Sequence, residues 1–343
     1  MKYSQVTIKD IARELGISPS TVSRALKDHP DISQETKRAV NELADKLNYQ
    51  PNVVALSLRS RRTRTIGVVI PEVVHFFFST VIAGIDQEAH AAGYSVILTQ
   101  SAEKLDREKS AIKTLFNSRV DGFLISISRE TSHFGHIDPI LEMGIPVVFF
   151  DRQFPRPDTT NIVVSDYDGS KEAVQHMIDQ GCKRIAHIYA APGLELSHQR
   201  LQGYRDALTD NGLQSAPEYQ VAGEEGTIEF GREAMSRLLA LKNPPDAIFA
   251  NNDVLAVGAC QVIKEKGLSI PKDIAVVGFS NWMYSQVMDP PLSSVDQPGF
   301  AMGQEAARML IRQIQLVDAG KPIVPETVVL KTKVVVRGSS LRS

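Results

Sequence analysis

Residues 7–27 read TIKDIARELGISPSTVSRALK, and this stretch decides how the N-terminal part of the chain folds. Thr7 is placed to cap a first helix and Gly16 to take the left-handed conformation that ends it. Ser18 followed by Pro19 then starts a second helix with a capping hydroxyl and a proline at its first position. Apolar residues recur at helical spacing as Ile8, Ile11, Ala12 and Leu15, then Val22, Ala25 and Leu26, then Val40, Leu43, Ala44 and Leu47, so three short helices are predicted. With Val22, Ala25 and Leu26 turned inward, Ser20, Thr21, Ser23, Arg24 and Lys27 are left for solvent or phosphate. Short polar side chains at the start of an exposed helix suit base edges in a DNA major groove. A plain helical hairpin with a solvated polar face satisfies the same pattern.

Working outward, Tyr49, Gln50, Pro51 and Asn52 lead into VVALSL (53–58), a helix-compatible stretch, and SRRTRT (60–65), a basic segment that reads as a hinge or linker. Beyond Thr65 the pattern changes. The short apolar runs IGVVIP (66–71), YSVILTQS (94–101), DGFLISIS (121–128) and PVVFFD (146–151) alternate with segments of helical period near 79–92, 104–118 and 137–143. The alternation repeats with IVVSD (162–166), RIAHIYA (184–190), DAIFANN (246–252) and DIAVVGFS (273–280), and with helices near 168–180, 197–211, 227–241, 253–266 and 300–315. Such runs predict parallel strands covered on both faces, in two α/β halves. Ligands of open parallel sheets bind beyond the carboxyl ends of the strands, so two halves side by side make a cleft lined by strand-end loops.

Composition narrows the function. The chain has 343 residues, 43% hydrophobic and 23% charged, as globular proteins do. No apolar run approaches the roughly 18 to 20 residues that cross a bilayer, and the first residues are charged and periodic rather than a secretion signal. Cys182 and Cys260 stand apart from each other and from any His at metal spacing, so neither a disulfide frame nor a zinc site is expected, and a reducing cytoplasm fits. Residues 1–64 carry 12 Lys/Arg against 7 Asp/Glu, whereas the rest carry 26 against 33. A basic head on an acidic body suits a chain whose one end meets a polyanion. GxSxG, Walker A, GxGxxG, HExxH and paired CxxC motifs are absent and the eight His are scattered, so no enzyme, metal or cofactor is expected.

TIKDIARELGISPSTVSRAL, followed by YQPN (49–52), IGVVIP, DGFLI, IPVVFFD, NNDVLAVGA, IPKDIAVVGFSN and PPLSSVDQP, resembles the lactose/galactose repressor (LacI/GalR) family of bacterial transcription regulators over nearly the whole chain. The resemblance implies a helix-turn-helix domain (1–50), a hinge helix and linker (51–64), and an effector-binding and dimerisation body (65–343) like periplasmic sugar-binding proteins. It divides that body into an N-subdomain of about 66–162 and 294–324 and a C-subdomain of about 163–293 and 325–343. By position, Pro19, Ser20 and Arg24 match residues that face bases. Thr7, Ser18, Thr21, Ser23, Tyr49 and Asn52 match residues that mostly hold phosphate. An arginine gripping guanine with two hydrogen bonds discriminates by roughly 1 to 3 kcal/mol, which makes Arg24 the main selectivity residue. In the hinge, Ala55 is carried over as a DNA contact and Leu58 as the leucine that wedges into the minor groove, where unstacking is offset by bending and added contacts. Leu56 replaces the usual polar residue, so one contact there is in doubt.

The same resemblance assigns effector contacts to Asp151, Arg200, Asn252 and Ser280, with Arg200, in HQRLQGY, as the ligand clamp. Asp253 competes as a helix cap. Phe77 and Phe78 match a position where aromatics stack on effector rings, or else they are core residues of the cleft edge; Trp282, in SNWMY, has a ring that suits stacking on a sugar face or packing. Ser280 stands where many relatives have Asp. With Arg152 beside Asp151, that loss of a carboxylate inclines the reading to an acidic or phosphorylated sugar, and Leu194 and Leu196 argue against a purine. The function expected is a ligand-responsive homodimeric regulator, a repressor of carbohydrate-use genes. It binds palindromic double-stranded operator DNA, with a sugar, sugar acid or sugar phosphate in the cleft and no membrane partner. The alternative is control by a phosphorylated carrier protein. Effector identity, the sign of the response, and dimer against tetramer stay open; the tail KVVVRGSSLRS lacks leucine heptads, which speaks against a coiled coil there.

Overall fold

Thr7 starts helix α1 (Ile8–Leu15): its N–H and its hydroxyl both donate to Asp10 Oδ2, at 2.9 and 2.7 Å. Gly16, at φ 64°, ends the helix in the left-handed conformation that a side chain would disfavour. Ser18 Oγ then accepts the Thr21 N–H at 3.1 Å to open α2 (Pro19–Ala25), and Ser33 caps α3 (Gln34–Lys46) in the same way. Ile11, Ala12, Val22, Ala25, Val40, Leu43 and Ala44 form the buried centre of this three-helix head. The computed structural model describes residues 6–49, 62–153 and 156–342, and the chain divides into two units, Met1–Thr63 and Arg64–Ser343.

The second unit is built on two six-stranded sheets. The first contains β1 (Thr65–Ile70), β2 (Ser95–Gln100), β3 (Gly122–Ile125), β4 (Val147–Phe150), β5 (Thr160–Val164) and β11 (Thr327–Leu330), in the order β11-β5-β4-β3-β1-β2, all pairs parallel. The second contains β6 (Ile185–Ala190), β7 (Gln220–Gly223), β8 (Ala247–Ala250), β9 (Ala275–Phe279), β10 (Ser293–Asp296) and β12 (Lys333–Val335). Its order is β12-β10-β9-β8-β6-β7, with only the β10–β12 pair antiparallel.

Helices α4 (Phe76–Ala91), α5 (Leu105–Asn117), α6 (Asp138–Glu142) and α11 (Gly299–Asp318) accompany the first sheet. Helices α7 (Asp166–Asp179), α8 (Glu195–Asp210), α9 (Ile228–Leu239) and α10 (Asp253–Glu265) cover the second. Close approach of α4 and α11 depends on a missing side chain, since a Cβ at Gly84 would lie 2.1 Å from the Phe300 carbonyl oxygen.

The chain passes between halves after Val164, Asp296 and Leu330. Residues 163–164, 294–296 and 325–330 therefore belong to the opposite half from the one the sequence boundaries gave them. Pairing decides this: Ser294 and Val295 are in register with Gly278 and Phe279, while Val328 and Val329 pair with Ile162 and Val163. One strand also departs from the expectation of two covered faces. β2 is a sheet edge, and its Ile97 and Leu98 are 38% and 39% exposed.

Candidate functional site

Between the carboxyl ends of the two sheets lies a cleft of about 470 Å³. Five non-glycine residues on its walls have positive φ: Ala102 (48°), Glu103 (59°), Asp151 (63°), Ala191 (50°) and Ser280 (97°). Such backbone costs on the order of 1–3 kcal/mol per residue and gathers at ligand clamps. Here each of these residues follows a strand, so the chain turns sharply off the sheet edge and presents side chains or carbonyls to the cavity. All seven residues expected to contact an effector, Phe77, Phe78, Asp151, Arg200, Asn252, Ser280 and Trp282, line this one cleft.

On the first-sheet wall, Phe77 and Phe78 form the start of α4, edge to face with centroids 5.4 Å apart. They belong both to the cleft wall and to the core cluster, so the two sequence readings of these rings describe the same position. Asp151 is buried, and no hydrogen bond to its carboxylate exists among the described residues; Arg152 Nε is 3.8 Å away. Burial pushes its pKa up to about 6 against the pull of Arg152, with Asp166 adding to the rise.

Arg152 does not offer its charge to a ligand. Its two terminal nitrogens donate to the two Glu103 oxygens at 2.7 Å each, and Nη1 also donates to the Ile127 carbonyl at 2.9 Å. Burial works to raise the Glu103 pKa, but Arg152 and the Arg129 N–H outweigh it and hold the group below the usual carboxylate range. The inclination to an acidic effector that rested on Arg152 loses this support.

The second-sheet wall carries Arg200, on the first half of α8, and buried. Its Nε and Nη2 both lie 2.7 Å from Asp166 Oδ1, Nη1 donates to the Asn251 carbonyl at 2.6 Å, and the guanidinium rests 3.6 Å from the Phe279 ring centroid. A guanidinium has five N–H groups, so this cradle leaves donors at its tip without a protein acceptor among the described residues.

Asn252 caps α10 through Oδ1, which accepts the Leu255 N–H at 2.8 Å; its amide nitrogen has no described protein acceptor. Asp253 is not the cap. Its buried carboxylate accepts from Trp282 N–H (2.6 Å), Ser285 Oγ (2.8 Å) and Ser294 Oγ (2.7 Å), tying α10 to the segment after β9 and to β10, while burial raises its pKa to about 6. Ser280 donates to Gln297 Oε1 at 2.6 Å, and Gln297 Nε2 is buried without a partner among the described residues. Trp282 stands edge-on to Tyr284 with centroids 4.8 Å apart.

In the head, Ser18, Pro19, Ser20 and Arg24 are exposed and Thr21 and Ser23 half-buried along α2. Ser18 Oγ is shared among the Thr21 N–H and the Ser20 and Thr21 hydroxyls, and Thr7 is bonded to Asp10. These side chains therefore have hydrogen-bond partners within the head itself. Tyr49 is half-buried behind α3. Asn52, Ala55, Leu56 and Leu58 lie outside the described residues.

Sequence reasoning missed Glu103, Arg129, Asp166, Asn251 and Gln297 as parts of the cleft and its support. The strand-end positions of Glu103 and Asn251 were available as a signal, but their partners are not local. Among the described residues there is no cluster of His, Cys, Asp or Glu placed to hold a metal, and no helix is long and apolar enough to cross a membrane.

Residues 7–52 match the model for bacterial regulatory proteins, lacI family, and residues 174–340 match that for a periplasmic binding protein-like domain. The HTH-type transcriptional repressor CytR of Escherichia coli K12 is 33% identical over 337 residues, 97% of this chain and 96% of the relative. The chain belongs to the lacI family of bacterial regulatory proteins. The structure of the Lac repressor dimer bound to operator and the anti-inducer ONPF superposes with a TM-score of 0.87 at 26% identity, covering 99% of this chain and 100% of the other. A complex of the transcriptional regulator CelR with cellobiose gives a TM-score of 0.74 at 28% identity, covering 98% and 100%. As a lacI-family member the chain is a DNA-binding transcriptional repressor and not an enzyme.

Proposed function

We propose that this repressor is a cytoplasmic homodimer that reads a palindromic operator through α2 and the hinge, and that a carbohydrate in the cleft changes its operator affinity. The observation that carries the effector reading is the convergence of Asp151, from the first sheet, and Arg200, Asn252 and Ser280, from the second, on one cavity. Among the described residues Asp151 offers an acceptor without a hydrogen-bond donor, and Arg200 and Asn252 keep donors beyond those their protein acceptors take. Hydroxyls on a sugar ring both donate and accept, so one ring satisfies both walls. Arg152, Arg200 and Lys104 already face Glu103, Asp166 and Glu130, so the cleft holds no unpaired cation for a phosphate dianion among the described residues, and a neutral or singly acidic sugar fits better. Exposed Ile97 and Leu98 on the β2 edge supply an apolar surface for a second copy.

The test is the melting temperature of the full chain against neutral sugars, sugar acids and sugar phosphates, because a ligand that binds only the native state stabilises by mass action. A shift of several degrees with one sugar, lost in Arg200→Lys, supports the cleft. No shift with any sugar, together with tight binding of a phosphorylated carrier protein, overturns it in favour of protein control.

A further inference from the structure

The two halves of the body are joined covalently at three crossovers, after Val164, Asp296 and Leu330. Away from these, the hydrogen bonds between the halves among the described residues run through Arg129, in the loop after β3. Its Nη1 donates to the Glu224 carbonyl at 2.7 Å and its Nη2 lies 3.1 Å from Glu225 Oε1, both in the loop after β7 of the other half. Arg129 and Glu225 line the cleft.

The loop that carries Arg129 is tied down by three carboxylates. Glu103 accepts the Arg129 N–H at 2.7 Å, buried Glu108 accepts the Ser128 N–H and the Thr131 hydroxyl, and Glu130 pairs with Lys104 at 2.7 Å. The base of the arginine is therefore fixed to its own half while its tip reaches the other. The Arg129 side chain is 19% exposed and that of Glu225 is 63% exposed. An ion pair that open to water is weak, typically below about 1 kcal/mol. Weakness suits a gate: a contact that opens freely lets ligand in, and a ligand touching both walls adds the free energy that keeps it shut.

We propose that Arg129 is a gating residue of the ligand site, closing the cleft on the Glu224–Glu225 loop. This rests on the reading of the cleft as the effector site, but its test needs no effector. Trp282 is the only tryptophan in the chain and lines the cleft, so its quenching by acrylamide reports access to the cavity.

In the full chain without ligand, the Stern–Volmer constant should rise by at least about 1.5-fold in Arg129→Ala and further in Arg129→Glu, which repels Glu225. The double variant Arg129→Glu/Glu225→Arg should return at least half-way to wild type, which loss of local structure alone would not do. Quenching in Arg129→Glu equal to wild type, or a double variant no closer to wild type than Arg129→Glu, overturns the gate. Neither outcome touches the thermal-shift test of the sugar reading. Conversely, a gate that behaves as expected in a protein that no sugar stabilises leaves the gate standing and removes the effector assignment.

Discussion

The two halves of the body share a strand order and differ in what they bring to the cleft. Each sheet runs from an edge strand through three central strands to a first strand flanked by the second, and each ends its central strands at the cavity. Yet the first wall presents a buried carboxylate, Asp151, with no bonded donor among the described residues, whereas the second presents Arg200, whose charge is already answered by Asp166. One wall is left short of donors and the other of acceptors. Repeating a fold thus does not repeat its chemistry. The strand ends fix where side chains emerge, and the residue at each end decides what a ligand must offer.

Breaking the second wall should have the largest effect. Arg200→Ala leaves Asp166 buried and unpaired, a change that costs about 3–5 kcal/mol in comparable sites. The urea midpoint should fall sharply with an unchanged slope, and Asp166→Asn in the same chain should restore part of it.

Neutralising the first wall should act in the opposite direction. The Asp151 pKa rises from 3.8 to about 6 on folding, so the folded state holds its proton more tightly than the unfolded chain. The stability cost of this group is absent below pH 4, grows as pH rises through 6, and is then constant. Asp151→Asn should therefore stabilise the ligand-free protein at pH 7.5 by up to about 3 kcal/mol, at 1.36 kcal/mol per pH unit, and leave stability unchanged near pH 4. It should also abolish ligand binding. In the wild type, sugar affinity should weaken as pH falls below about 6, because protonated Asp151 offers a poorer acceptor.

Asn252 separates stability from recognition on a smaller scale. Asn252→Ala removes the α10 cap and should cost about 1 kcal/mol. Asn252→Asp keeps a capping oxygen and should melt near wild type, but it removes the amide donor that the proposed reading gives to the ligand. Equal sugar affinity in Asn252→Asp and wild type would remove Asn252 from the site.

Much of this was legible in the sequence because local physics writes it there. Ser18-Pro19 and Gly16 punctuate helices through their own backbone chemistry, and runs such as VVFF before Asp151 need burial on both faces. Family resemblance then placed seven cleft residues that the fold brings together. What stayed hidden depends on pairing. The segments SSVD and TVVL are strands only because β9 and β5 lie beside them, and this moved the subdomain boundaries. Glu103 meets Arg152 across 49 residues and Arg129 meets Glu225 across 96, so neither pair leaves a mark in either local stretch. Arg152 shows the cost of reading a charge without its partner. In sequence it adds a cation beside Asp151, and in the fold Glu103 takes it.

The most direct measurement is the affinity of the full chain for a duplex selected from a random pool, with and without the stabilising sugar, in wild type and in Arg200→Lys. If the cleft governs the head, the sugar changes wild-type affinity by about 5- to 150-fold and leaves Arg200→Lys unmoved. An equal change in both proteins, or none in the wild type at saturating sugar, would contradict it.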